Sequence, residues 1–97
     1  MNHRFHPATD QELIDASQFY ESRLPGLGGE FLDEIEASLE SVLKSPSQFE
    51  VLDGDVRIAR TQRFPYGLLF VIEPDEILIV AVMHLHRRPG YWEHRVR

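Results

Sequence analysis

Residues 84–95, HLHRRPGYWEHR, gather three histidines, three arginines, a tyrosine and a tryptophan in an otherwise acidic chain. Each type has its own chemistry. An imidazole with an unperturbed pKa of about 6.5 can give or take a proton near neutrality. A guanidinium is a planar fork suited to carboxylate or phosphate. Arg87 and Arg88 could merely solvate the end of an element, but they abut Tyr91 and Trp92, and arginine with aromatics is the composition of interface hot spots. Trp92 has a second reading, because a single large aromatic near a chain end often anchors the tail to the core. His84 and His86 could grip a metal together with His94, yet no carboxylate or thiol follows at a recognisable spacing. No metal or other cofactor is expected, and the two imidazoles read as partly buried polar groups at a strand end.

The element that must position this segment comes directly before it. Residues 77–83 are seven apolar side chains in succession, the mark of a strand covered on both faces. Continued to residue 86 with a period of two, the strand places His84 and His86 on the face of Val80 and Val82, with Leu85 on the face of Ile79, Ala81 and Met83. Residues 68–73, LLFVIE, form the preceding strand, and Glu73-Pro74-Asp75-Glu76 is a turn in which Pro presets φ and Asp bonds local backbone. A third strand spans residues 56–60, alternating Val56 and Ile58 with Arg57 and Ala59 after the turn Asp53-Gly54-Asp55.

Upstream the period is helical. Residues 3–6, HRFH, read as a short edge strand closed by Pro7. Thr9 and Glu12 then have capping-box spacing. Leu13, Ala16, Ser17, Tyr20 and Leu24 recur as one helix face until Pro25-Gly26-Leu27-Gly28-Gly29 interrupts it. A second helix carries Phe31, Leu32, Ile35, Leu39, Val42 and Leu43 on a stripe, sets Glu30, Asp33, Glu34, Glu36 and Glu40 largely off it, and stops at Ser45-Pro46. The expectation is a single α+β domain over residues 1–97. Its antiparallel sheet has three C-terminal strands, joined by the N-terminal strand as a fourth, with a helical hairpin on one face (order β-α-α-β-β-β).

Composition narrows the function. A domain of 97 residues holds one modest core, so a site belongs on an open face, an edge or a shallow groove, where macromolecular partners fit best. With no cysteine, a disulfide framework and a thiolate metal site are excluded, which fits a reducing compartment such as the cytoplasm. No run approaches the roughly 20 apolar residues of a membrane helix, and MNHRFHP is no signal peptide. The net charge of -6 is divided unevenly: three basic against twelve acidic side chains in residues 1–55, and seven arginines against four acids in residues 56–97. Two surfaces with different partners are implied. Tight, indiscriminate nucleic-acid binding is disfavoured, because a basic footprint supplies that affinity.

The element order, the hairpin RFPYGLLFVIEPDEILIVAVMH (residues 63–84) and the tail HRRPGYWEHR (residues 86–95) resemble the RelE/ParE superfamily of toxins from bacterial toxin-antitoxin systems. The most specific parts, FPYG entering an apolar strand and H-x-RRPGYW at its end, are similar to the ParE-like, plasmid-stabilisation branch. The resemblance implies a growth-arresting toxin silenced by a cognate antitoxin, and two mechanisms. ParE-like members are associated with poisoning DNA gyrase. RelE-like members cut mRNA on the ribosome, which needs a base for the 2′-OH, an acid for the leaving oxygen and cations for the phosphorane charge. RelE-like nucleases generally carry an arginine where this chain has Gly67, carry lysines on the preceding strand where its only lysine is Lys44, and are strongly basic. Gyrase inhibition by contact is therefore expected, through Arg63, Arg87, Arg88, Tyr91 and Trp92, with His84 and His86 as second choices. The alternatives are a nuclease using Arg63, His86, Arg87, Arg88 and Tyr91, with Arg57 and Arg60 as further cations, or an inactive, antitoxin-binding relative. Tyr20, Leu24, Leu27 and Phe31 around the helical turn are either hairpin core or the lining of an antitoxin groove.

Overall fold

The computed structural model describes residues 2–96. Its elements are β1 (Asn2–Phe5), α1 (Pro7–Arg23), α2 (Leu27–Lys44), β2 (Glu50–Asp53), β3 (Val56–Arg60), β4 (Tyr66–Ile72) and β5 (Glu76–His84). The sheet order is β1-β5-β4-β3-β2. The α+β architecture, the helical hairpin on one face and the three C-terminal strands are as expected, but the sheet has five strands and is mixed. β1 runs parallel to β5, with Phe5 opposite Ile79, while the other pairs are antiparallel. The additional strand, β2, is a four-residue edge whose residues are all exposed, so it has no buried side chains to write an alternation into the sequence.

The helix starts differ from expectation for a local reason. Pro7 opens α1, and the imidazole of His6 accepts from Ala8 N at 3.1 Å. Thr9, fully buried, donates its hydroxyl to His6 O at 2.6 Å. The capping box therefore does not form, and Glu12 is released for another partner. The interruption between the helices is also shorter than the five residues expected, since α2 begins at Leu27. Gly26 takes the left-handed conformation (φ 91°), and Glu21 accepts from the N–H groups of Gly26 and Gly28 at 2.9 and 3.0 Å. Gly28 is required by packing: a Cβ there would lie 2.5 Å from Ser17 O, so the helices meet backbone to backbone.

Both sheet faces are buried. The helices cover Ala59, Leu68, Phe70, Ile77, Ile79 and Val82, with Phe31 and Phe64 between. On the opposite face Val56, Ile58, Leu69, Leu78, Val80 and Met83 pack with Trp92. A β-bulge explains one departure from strict alternation. Leu69 pairs with Ala81 and Phe70 with Ile79, leaving Val80 as the extra residue. The bulge flips the face of everything beyond it, so Val82 stays with the helices while Val80 turns away, and the expected shared face of Val80 and Val82 is not formed. Among the described residues no helix is long and apolar enough to cross a membrane.

Candidate functional site

β5 outlasts β1. Past Ile79, whose carbonyl bonds His6 N, the edge of β5 has no strand beside it, and side chains take over. Glu12, reaching across from α1, accepts from Val82 N at 3.0 Å, from the Tyr91 hydroxyl at 2.6 Å and from Arg95 Nη1 at 3.0 Å. The same guanidinium donates to Val80 O at 3.1 Å. An ion pair thus supplies the donor and acceptor that a sixth strand would have offered. Its members are mostly enclosed, the side chains of Arg95 and Glu12 being 8% and 14% exposed.

This clamp folds the tail onto the sheet. Tyr91 is held by its hydroxyl, and Trp92, 4% exposed, is sealed against the face opposite the helices. Burial, and next the hydrogen bond to Glu12, push the Tyr91 phenol well above its ordinary range. Arg87 then lies over the Tyr91 ring at 4.2 Å, a cation–π contact that fixes its direction. Arg88 beside it is exposed and has no hydrogen bond or ion pair among the described residues.

The other candidate arginines, Arg57, Arg60 and Arg63, are engaged elsewhere. Arg57 donates to Phe49 O at 2.6 Å, Arg60 pairs with Glu50 at 2.6 Å, and Arg63 pairs with Glu30 of α2 at 2.8 Å. His84 ends β5 and is half-buried; its ring lies 5.2 Å from that of Tyr66, and its Nδ1 accepts from His86 N. His86 lies beyond the strand and is exposed, so the expected extension to residue 86 stops two residues short. The two imidazoles are 5.4 Å apart, and among the described residues no group of three or more His, Asp or Glu could hold a metal.

Residues 4–89 match the family model of the ParE toxin of the type II toxin-antitoxin system, parDE. The chain belongs to this family. No curated protein matches it. Among solved structures it is similar to a chromosomal ParDE TA system from P. aeruginosa, with a TM-score of 0.78 over 89% of this chain and 97% of that one. At 16% identity that likeness shows the fold.

In this ParE family member the expected contact residues do not form one patch. Arg87, Arg88 and Tyr91 share the rim where β5 runs out, with His84 and His86 close by. Arg63 is drawn to α2. Trp92 is a buried anchor, which corrects its placement among the target-contact residues. Of the four residues around the helical turn, Phe31 is fully buried among Tyr20, Phe64 and Tyr66. It belongs to the hairpin core and offers no groove surface, while Leu24 is 56% exposed; Tyr20 and Leu27 are partly covered. Glu12 and Arg95 carry the rim and were not among the expected site residues; Glu12 had the signature of a helix cap, and Arg95, though part of the stretch 84–95, was not singled out from it. The matched segment includes Glu12 but ends before Tyr91 and Arg95, so the clamp joins residues inside it to two beyond it.

Gly67 has a packing role as well. A Cβ there would lie 2.7 Å from Ile58 Cδ1 and 3.3 Å from Leu85 Cδ2. A side chain there would have to displace the end of the buried Ile58 side chain.

Proposed function

We propose that this ParE family toxin arrests bacterial growth in the cytoplasm by binding DNA gyrase, and that a cognate antitoxin neutralises it. The observation that carries the reading is the rim: Arg88 without a hydrogen bond or ion pair among the described residues, Arg87 directed by Tyr91, and both exposed where the core strand ends. Such a surface suits contact with a protein, since arginine and an ordered aromatic supply most of the affinity at hot spots. RNA cleavage would need a proton donor, a base and several cations around one point. Here the Tyr91 phenol is committed to Glu12, Arg57, Arg60 and Arg63 are each held by another group, and Gly67 stands where the nuclease arginine would be. These placements favour binding over turnover.

The test is a supercoiling assay with purified gyrase, run beside a ribosome-bound mRNA assay on the same preparation. Inhibited supercoiling with intact mRNA is the expected result, relieved by Arg87→Ala with Arg88→Ala. Cut mRNA with unaffected gyrase would establish the nuclease instead. Unimpaired growth on induction, with neither activity, would indicate an inactive relative.

A further inference from the structure

The tail covers the sheet face opposite the helices, but not all of it. Between the end of β2 and the tail lies a cleft of about 370 Å³. Met83 and Trp92, both buried, form its floor, while Leu52 of β2 and Leu85 just past β5 stand at its edge, 37% and 36% exposed. A β-bulge puts Leu52 there. Val51 pairs with Arg57 and Asp53 with Val56, which leaves Leu52 as the extra residue, and a bulge re-aims a side chain at a sheet edge. Arg87 lines the same cleft, so the apolar hollow and the arginine rim are one continuous surface.

Shape and charge select the occupant. A second copy is disfavoured, because pairing two β2 edges about a two-fold axis sets Glu50 of one copy opposite Asp53 of the other, and like charges directly opposite are destabilising. The bulge also interrupts the ladder that an added strand would follow. A helix, about 10–12 Å across with its side chains, is too wide for the cleft, whereas one large side chain fits. Arg87 and Arg88 are exposed and have no ion pair among the described residues, so both remain available to an anion. Asp53 and Glu93 also line the cleft. They disfavour a carboxylate inside it and leave the acid to the arginines on the rim.

We propose that the target protein holds the toxin by two neighbouring groups: a large apolar side chain seated in the cleft between Leu52 and Leu85, and a carboxylate that meets Arg87 and Arg88. The proposal rests on the gyrase reading above and adds the chemistry of the contact. It also brings β2, more than thirty residues before the rim in sequence, into the target site. The apolar anchor supplies affinity through burial, and the charge pair fixes its orientation.

The test measures binding of the full chain to purified gyrase without DNA, at low and high salt. Leu52→Ser is the discriminating variant, because the arginine rim by itself gives β2 no part in binding. Leu85→Ser is its companion on the other edge, melting temperatures report whether both fold, and hydrogen exchange on the wild-type complex gives a readout free of mutation. Each serine variant should lose roughly thirtyfold in affinity, the size of a hot-spot truncation. Wild-type binding should weaken by about tenfold as salt screens the arginines, a dependence that Arg87→Ala with Arg88→Ala removes. β2 should gain protection together with residues 84–93. Undiminished affinity of Leu52→Ser, or a β2 left unprotected in the wild-type complex, overturns the cleft. Binding indifferent to salt overturns the carboxylate, as does binding that appears only once DNA is added, which would assign the arginines to phosphate. If wild type does not bind gyrase with or without DNA, the gyrase reading itself fails, and the cleft proposal with it.

Discussion

Replacing Glu12 by alanine removes one carboxylate and strands three donors. Arg95, 8% exposed, keeps only the Val80 carbonyl, and its Nε already lacks a partner. Breaking a buried pair by deleting one member costs about 3–5 kcal/mol, and an orphaned backbone N–H at Val82 adds roughly 1–3 kcal/mol. Glu12 lies near the rim, so water entering its place offsets part of this, and a net loss of about 3–4 kcal/mol is expected. Against a total of roughly 5–15 kcal/mol for a domain of this size, the melting temperature falls by about 15–25 °C. Trp92 is the only tryptophan and reports the tail directly. In urea, its emission should shift before the circular dichroism of the helices is lost, because the tail detaches first. Glu12→Leu with Arg95→Met should recover part of the loss, since it removes the unpaired charge while the Val82 N–H, the Val80 carbonyl and the Tyr91 hydroxyl still lack their partners. A cost below about 1 kcal/mol for Glu12→Ala, or a double variant no more stable than the single, would refute the clamp.

Three further outcomes follow from the same packing. All three tyrosines have phenol pKa values raised above 10.0 by burial, Tyr91 most and with help from its bond to Glu12. The unfolded chain therefore loses these protons first, so stability is full below about pH 10 and declines as pH rises toward the folded values; urea midpoints against pH should show this slope, reduced in Tyr91→Phe, and a flat profile to pH 11 would contradict it. Gly28→Ala should cost about 1–3 kcal/mol by forcing the helices apart at Ser17, read by thermal melting, whereas an unchanged melting temperature would mean that the close approach is unimportant. Trp92→Ala should lose about 3–5 kcal/mol while Arg88→Ala stays within about 0.5 kcal/mol of wild type; similar stabilities for the two would show that the tail is not anchored by its ring.

Much of the architecture was legible because it follows local periodicity. The 3.6-residue stripe from Phe31 to Leu43 wrote α2, and seven apolar residues before His84 announced a strand covered on both faces. β2 was not legible, since its residues bury nothing. The bulge at Val80 was not legible either, because one extra residue in an all-apolar run leaves no mark, though it decides which face Val82 and His84 share.

For the candidate site, the chain alone determined that arginines and aromatics gather past the end of the core strand, where backbone connectivity confines them. Which of them face solvent was decided by partners distant in sequence. Glu12 fitted a helix cap, but His6 and Pro7 satisfy that end of α1, freeing its carboxylate for Tyr91 and Arg95, 79 and 83 residues away. Arg63 is drawn to Glu30, 33 residues before it, and Trp92 turns inward because the sheet's second face needs a cover. Spacing encodes what neighbours along the chain can do for one another; the ion pairs and buried rings depend on a path that only the packed sheet defines.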